Sequence, residues 1–586
     1  MSTVKSLLIY ALLFCSALSV AQNQLLYDKK DSINLNFQTN GFLLDSIDLA
    51  NGFDEQLRPG SFYLQELNLI DLLAIQPDLG NESSGINYLG RNYKSRFLIT
   101  PLPYLGVQYS FGTNLTQHLN LQYAQKLSSK SHLNLRYKRD AGNGFLTNSK
   151  YGFDDVNALY QYRSKKYANF LDASYSKYDW QENGGITTDS LLDEFALIFT
   201  PVNKPNANTL VKKADIILNQ FINFTNDSIL KTGLVVKQRY EVINRVYTEQ
   251  ADSLAQFYEQ INIDSSTTRD QYQTASIKNS AGYFFASKYF EIDALVGHRY
   301  WRNQNLGVNR DTNEIYLSST LFVGGKNFNF KNDFYFNLVG ATGEIKNNAK
   351  LYLNWKGFRI NGNLGFYNVL PTPYQRFHTA NNYNWKLTSF EAQQQLQFGG
   401  RISYEQKHLI FASLQSLTTN NGLYFIDNTW RQDTLDVVAL TQFTFGGKLN
   451  WNKIKLYPTA TLRLNSNNYN YQPTFSTRTR FSYSTGVFKA NRLKVALGLD
   501  VGYDSEYRVL TYNPALSLFE QNSVNPLSGN LFSVDAFFNA EIKEFRFFAR
   551  AQNIDYFWNP STMRVDPNFP IMPFLIKIGV SWDFFN

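Results

Sequence analysis

Positively charged side chains recur at every second position in several stretches of this sequence. Lys453 and Lys455 lead to Arg463, Arg478 is followed by Arg480, and Arg492 by Lys494. Earlier, Arg136 precedes Lys138 and Lys237 precedes Arg239, while Arg299, Arg359, Arg550 and Lys577 stand in similar alternating surroundings. Cations at period two share one face of an extended chain. Gathered along one wall they would concentrate anions, which is a chemistry of recognition and passage.

The residue types that break bonds are scattered by comparison. His118, His132, His298, His378 and His408 show no paired helical spacing for zinc, and no Gly-x-Ser-x-Gly turn is present for a nucleophile. The double glycines at 324–325, 399–400 and 446–447 lack the upstream glycine of a phosphate-binding loop. They read instead as bends or ring-covered positions in a curved sheet. No twelve-residue calcium loop is evident. The sequence therefore predicts no catalytic residue, no metal and no cofactor.

The elements that carry the cations are strands. Leu493, Val495, Leu497, Leu499 and Val501 oppose Arg492, Lys494, Ala496, Gly498 and Asp500. Ile454, Leu456, Ala460, Leu462 and Leu464 oppose Lys453, Lys455, Thr459, Thr461 and Arg463. The chain ends on the same alternation, with Phe574, Ile576, Ile578, Val580, Trp582 and Phe584 set against Leu575, Lys577, Gly579, Ser581 and Asp583. Such dyads are the signature of strands with two unlike faces.

Residues 1–21 read as a secretory signal with cleavage after Ala21, and they hold the single cysteine, Cys15, so the mature chain has no thiol. Beyond them no run reaches the roughly 18 to 20 apolar residues of a spanning helix. Barrel strands need only about 9 to 11 residues with one apolar face. Very short links alternate with mostly long ones along the chain, the long ones including 301–313, as in an outer-membrane barrel with short periplasmic turns and long extracellular loops. The reading is an all-β, transmembrane antiparallel β-barrel of about 22 strands, with an error of two to four, over residues 101–586. Its 47 Phe and 38 Tyr would form girdles at the two lipid boundaries. Residues 22–100 would form a periplasmic or luminal plug-like segment containing a short amphipathic helix at 61–75.

Three stretches then suggest a family. PLPYLGVQYSFG from Pro101, the short basic hairpins that follow, and ENGGI at 182–186 resemble the putative porin family of Bacteroidota outer membranes. The ending FLIKIGVSWDFFN resembles that family's last strand and, more loosely, that of TonB-dependent receptors. The resemblance implies a pore in the outer membrane of a Gram-negative cell. It also implies that Trp582, Phe584 and Phe585 form the terminal signal read by barrel-assembly machinery.

With apolar faces toward lipid, the cations must face inward, because an Arg or Lys in the lipid midplane costs about 2 to 4 kcal/mol. The expected lumen lining is Arg136, Lys138, Lys237, Arg239, Arg299, Arg359, Lys453, Lys455, Arg463, Arg478, Arg480, Arg492, Lys494, Arg550 and Lys577, with fewer acids among them, such as Glu291, Asp293, Asp333, Asp500 and Asp583. Two outcomes are equally weighted: a mild anion preference, or ion pairing that stiffens the wall. The expected function is a channel for passive diffusion of small polar solutes, anions included. The alternative is a closed barrel serving as structural or accessory subunit of an outer-membrane assembly. Expected partners are outer-membrane lipid, the assembly machinery and small polar solutes. A second copy or another outer-membrane protein is an open question, and the formal charge of +8 is too small and dispersed for nucleic acid.

Overall fold

The computed structural model describes residues 98, 100, 102–225, 230–305, 308–433, 437–465, 471–488, 492–520, 525–558, 564–570 and 572–585. The signal region, the expected helix at 61–75 and nearly all of the plug-like segment lie outside the described residues.

Twenty-two strands form one sheet. They are β1 (Tyr104–Gly112), β2 (Thr116–Ser128), β3 (Ser131–Gly142), β4 (Tyr151–Arg163), β5 (Tyr167–Gln181), β6 (Ala207–Asn223), β7 (Lys231–Gln250), β8 (Thr267–Ala286), β9 (Phe290–Asn305), β10 (Val308–Gly324) and β11 (Phe328–Val339). The second half comprises β12 (Ile345–Trp355), β13 (Phe358–Val369), β14 (Gln393–Glu405), β15 (Leu409–Asn420), β16 (Val438–Trp451), β17 (Ile454–Asn465), β18 (Phe475–Val487), β19 (Leu493–Asp504), β20 (Leu531–Ile542), β21 (Phe545–Gln552) and β22 (Leu575–Phe585). Each pairs antiparallel with the next, and β1 pairs with β22 from Tyr104 opposite Phe585 to Gly112 opposite Lys577. The sheet therefore closes on itself, which removes both edges.

One terminal pattern explains the faces. In β22, Lys577, Gly579, Ser581 and Asp583 are buried, whereas Ile576 and Trp582 are about half exposed. Apolar outside and polar inside is the reverse of a soluble core, and it is the distribution lipid demands. Paired residues share a face, so this assignment carries strand by strand around the whole ring. Phe574 is not part of the strand; it precedes Leu575 and packs on Phe557 at 5.1 Å.

The rim that carries both ends of the sheet has turns as short as two residues, at 356–357, 452–453 and 543–544. The opposite rim carries the long links 182–206, 251–266, 370–392, 421–437, 505–530 and 553–574. The sequence placed a further loop across 301–313, but β9 and β10 continue to Asn305 and from Val308 there. Polar side chains on a ladder raised above the apolar band look like a loop by composition. Here Arg302 pairs with Asp311 across the ladder at 2.9 Å and holds it extended.

Aromatic rings occupy the interior as well as the lipid boundaries that the sequence suggested. Outward rings gather at the short-turn rim, with Phe545 against Trp582 at 5.6 Å, Trp582 stacked on Phe584 at 4.6 Å and Phe358 on Tyr404 at 4.6 Å, and at the long-loop rim, with Tyr503 against Phe532 at 5.0 Å and Phe475 at 6.5 Å. Many tyrosines instead face inward and are buried, among them Tyr104, Tyr247, Tyr316 and Tyr367. Tyr316 lies flat over Gly297, where any Cβ would come within 2.2 Å of the ring. Phe411 covers Gly446 in the same way, which accounts for one of the double glycines.

The lipid face also has a polar seam. Gln220, Gln238, Asn279, His298 and Asn313 all point outward, linked by Gln220 to Gln238 at 3.4 Å, Gln238 to Asn279 at 3.3 Å and His298 to Asn313 at 3.0 Å. Asn279 and His298 face each other in the register. Mutual hydrogen bonding lowers the cost of placing such groups against hydrocarbon.

Candidate functional site

The ladder register puts Arg136, Lys138, Lys237, Arg239, Arg299, Arg359, Lys455, Arg463, Arg478, Arg480, Lys494, Arg550 and Lys577 on the face opposite the apolar one. Lys453 and Arg492 are corrections. Lys453 sits in the turn 452–453 and Arg492 just before β19; both are exposed at the short-turn rim and neither belongs to the wall. Alternation alone cannot tell the last residue of a strand from the first of a turn.

Most of these cations are neutralised. Arg239 forks onto Asp215 at 2.9 and 2.7 Å, Lys237 reaches Asp293 at 2.7 Å, and Arg299 reaches Glu314 at 2.7 Å. Asp500 bridges Arg480 at 2.5 Å and Arg550 at 3.0 Å, and Asp535 takes a second bond from Arg550 at 2.9 Å. Arg478 meets Asp504, Lys494 meets Glu541, Arg359 meets Glu405, and Lys138 meets Asp140, which also holds His118. Asp215, Glu241, Glu314, Asp535 and Glu541 are inward acids that the sequence reading missed. Each sits in a stretch whose alternation is blurred, as in KKADIILNQ, where both faces carry apolar residues.

One sector is different. Across β12 to β17 the inward positions carry Lys346, Lys350, Arg359, Arg401, Lys448, Lys455 and Arg463, and the acid among them is Glu405, which lies at the rim and pairs with Arg359. Its other inward residues are chiefly amides and hydroxyls, such as Asn361, Gln397, Gln415, Thr444 and Thr461. Arg401 rests on the Phe411 ring at 3.8 Å, and Arg463 is held by Gln442 at 3.1 Å and Ser476 at 2.8 Å, all neutral partners.

The long loops do not stand free. Tyr374, Tyr383 and Trp385 of 370–392, Phe425 of 421–437 and Leu516 and Leu518 of 505–530 form one buried cluster with the inward Tyr247 of β7 and Tyr272 of β8. The loop 505–530 joins β19 to β20 yet reaches β7 far around the ring, so it crosses the mouth. Arg245 of β7, 3% exposed, donates to the carbonyls of Pro514 at 3.3 Å and Ala515 at 2.5 Å and to Ser517 Oγ. Asn381 ties 370–392 to the 251–266 loop through the amides of Ile263 and Asp264 at 2.9 and 3.0 Å.

Beside this clamp, Glu182 accepts from Trp180 Nε1 at 2.7 Å, Tyr512 OH at 2.8 Å and Thr209 Oγ1 at 3.1 Å. Burial pushes its carboxyl up to about 7 although these donors pull the other way. Burial likewise lowers Lys204, which binds Glu249 at 2.8 Å and Tyr258 at 2.8 Å. His378, stacked on Trp385 at 4.4 Å, is driven by burial down to about 3 and stays neutral. The ENGGI stretch that suggested the family thus supplies the buried acid of the loop assembly.

The sequence profile of the family described as putative porin matches residues 74–586. The chain belongs to the putative porin family. It is an outer-membrane β-barrel, and no curated protein matches it. Solved structures resemble this chain in fold. The FrpB iron transporter from Neisseria meningitidis (F5-1 variant) superposes with a TM-score of 0.55 at 8% identity, covering 82% of this chain and 81% of its own. The siderophore receptor PirA from Acinetobacter baumannii gives 0.58 at 9%, with 84% and 81% covered. The ferric-catecholate import receptor Fiu from E. coli K12 gives 0.56 at 11%, with 82% of each chain covered. At such identities the likeness of the chain to these structures concerns the barrel alone.

Proposed function

We propose that this porin conducts small polar solutes by passive diffusion with a preference for anions, and that the path follows β12 to β17. The observation that carries the reading is the acid-poor sector there. Much of the remaining inner face pairs its cations with neighbouring carboxylates, whereas the strand positions of this sector carry Glu405 as their acid, and Arg401 and Arg463 lie against neutral groups. An anion moving along it would exchange water for amide, hydroxyl and guanidinium donors. Transport without catalysis is the corresponding chemical role, and the membrane is the outer one, with the long loops outside.

Leu98 supports a luminal position for the segment before the barrel. Its backbone exchanges hydrogen bonds with the inward side chain of Asn134 at 2.7 and 3.0 Å, so the chain meets β1 from inside the wall. Reversal potentials in a salt gradient, measured on the mature chain and on one lacking residues 22–97, test both parts. Cation selectivity ends the anion reading, and equal conductance of the two chains ends the luminal one.

The loop assembly over the mouth favours a second reading, a sealed barrel acting as an accessory subunit. Proteoliposomes separate the two: size-dependent swelling supports the channel, and an impermeable vesicle with a co-purifying membrane protein supports the subunit.

A further inference from the structure

A groove on the outer surface of the barrel, unrelated to the lumen, has the properties of a lipid-headgroup site. Its volume is about 300 Å³, and its walls are the outward residues Asn208, Lys212, Asn244, Arg269 and Gln271 over a floor that includes Leu210 and Val246. These residues belong to β6, β7 and β8, whose strands of 17, 20 and 20 residues rise well above the apolar band. Going down β6 from Lys212, the outward side chains become Ala214, Ile216 and Leu218. The groove therefore opens sideways, just above the lipid boundary at the long-loop rim.

Its charges set it apart from its surroundings. Nearby outward cations have acidic partners: Arg139 with Asp154 at 2.8 Å, Lys177 with Asp179 at 3.6 Å and Arg302 with Asp311 at 2.9 Å. Lys212 and Arg269 are exposed and form no ion pair among the described residues. Lys212 moreover stands directly opposite Lys177 in the ladder. Like charges in that position destabilise a sheet; Asp179 offsets Lys177, and Lys212 has no carboxylate of its own among the described residues. Asp179 closes one edge, where it accepts from Asn208 at 3.1 Å, and Gln271 donates to Asn244 at 3.0 Å. These amides leave further donors and acceptors turned toward a sugar or phosphate.

We propose that this groove binds the phosphate of an outer-leaflet glycolipid headgroup, with Lys212 and Arg269 as its charged contacts. A lipid is the ligand rather than a free anion because the groove faces the plane of the membrane, and its apolar floor continues into the band that meets acyl chains. The orientation of the long loops toward the outside is the one premise shared with the porin reading; conduction plays no part.

The test uses the full mature chain in detergent, with monophosphorylated lipid A as probe and native mass spectrometry as readout. K212Q/R269Q should weaken binding by about tenfold or more, a loss of at least about 1.4 kcal/mol. R302Q, which removes a paired cation at the same rim, should leave binding unchanged, and K212R should retain it. Dephosphorylated lipid A should bind wild type no better than lipid A binds the double variant, and millimolar inorganic phosphate should not displace the lipid. Heat-modifiable gel mobility confirms that each variant is a folded barrel. Equal binding by the double variant, equal binding of dephosphorylated lipid, or displacement by inorganic phosphate overturns the proposal.

Discussion

The guanidinium of Arg245 donates to the carbonyl of Ala515 at 2.5 Å, joining the inner wall of β7 to a loop 270 residues later in the chain. Hydrogen bonds from a charged group are each worth about 1.5 to 3 kcal/mol, so this clamp is strong enough to keep the loop on the wall. Arg245→Ala should release 505–530 and raise mean conductance, with protease sensitivity appearing in that loop first. Unchanged conductance and proteolysis would show that the aromatic cluster holds the loop without it.

Acidity should reinforce the same closure. Glu182 titrates near 7 in the folded loops and near its ordinary 4.5 when they open. A raised carboxyl stabilises the closed form through its proton, fully below the ordinary value, and this contribution is lost as pH rises through about 7. Open probability should therefore be higher at pH 8 than at pH 5. Glu182→Gln, which keeps the neutral form, should flatten the profile at the low-pH level, whereas a profile identical to wild type would remove Glu182 from the mechanism.

Selectivity should follow the acid-poor sector. Arg401→Glu combined with Arg463→Glu reverses two charges whose partners are neutral, and the reversal potential should move toward cation preference. Arg239→Gln, taken from the paired wall at Asp215, should move it far less. A larger shift from Arg239→Gln would place the path on the other side of the lumen.

The closing seam offers a stability test. Tyr104 donates to Asp583 at 2.7 Å and Arg546 reaches the other oxygen of that carboxylate at 3.1 Å, joining β1, β21 and β22. Asp583→Ala removes the nearer carboxylate from a buried guanidinium and leaves it Glu541 at 3.9 Å, so it should cost up to about 3 kcal/mol, seen as a lower unfolding temperature by heat-modifiable mobility. Tyr104→Phe removes one hydrogen bond and should cost about 1 kcal/mol or somewhat more. Equal effects of the two would mean that the ladder alone closes the barrel.

The sequence by itself determined what local periodicity can carry. Side chains alternate at period two, so the run from Leu493 to Val501 or from Ile576 to Phe584 declares a strand with one greasy and one polar face before any partner strand is known. Short links between such runs then imply a closed antiparallel sheet and nearly its strand number. The boundary errors at Lys453 and Arg492, and the loop expected at 301–313, came from the same locality, since a ladder above the membrane has no apolar face to announce it. Only the tertiary structure decided which cations are cancelled. Asp500 meets Arg480 through the register of adjacent strands and Arg550 across two, and Arg245 meets Ala515 across the mouth. Those contacts depend on distances between residues far apart in the chain, which no alternation records, and they separate a uniformly basic lining from one in which carboxylates pair with many of the cations.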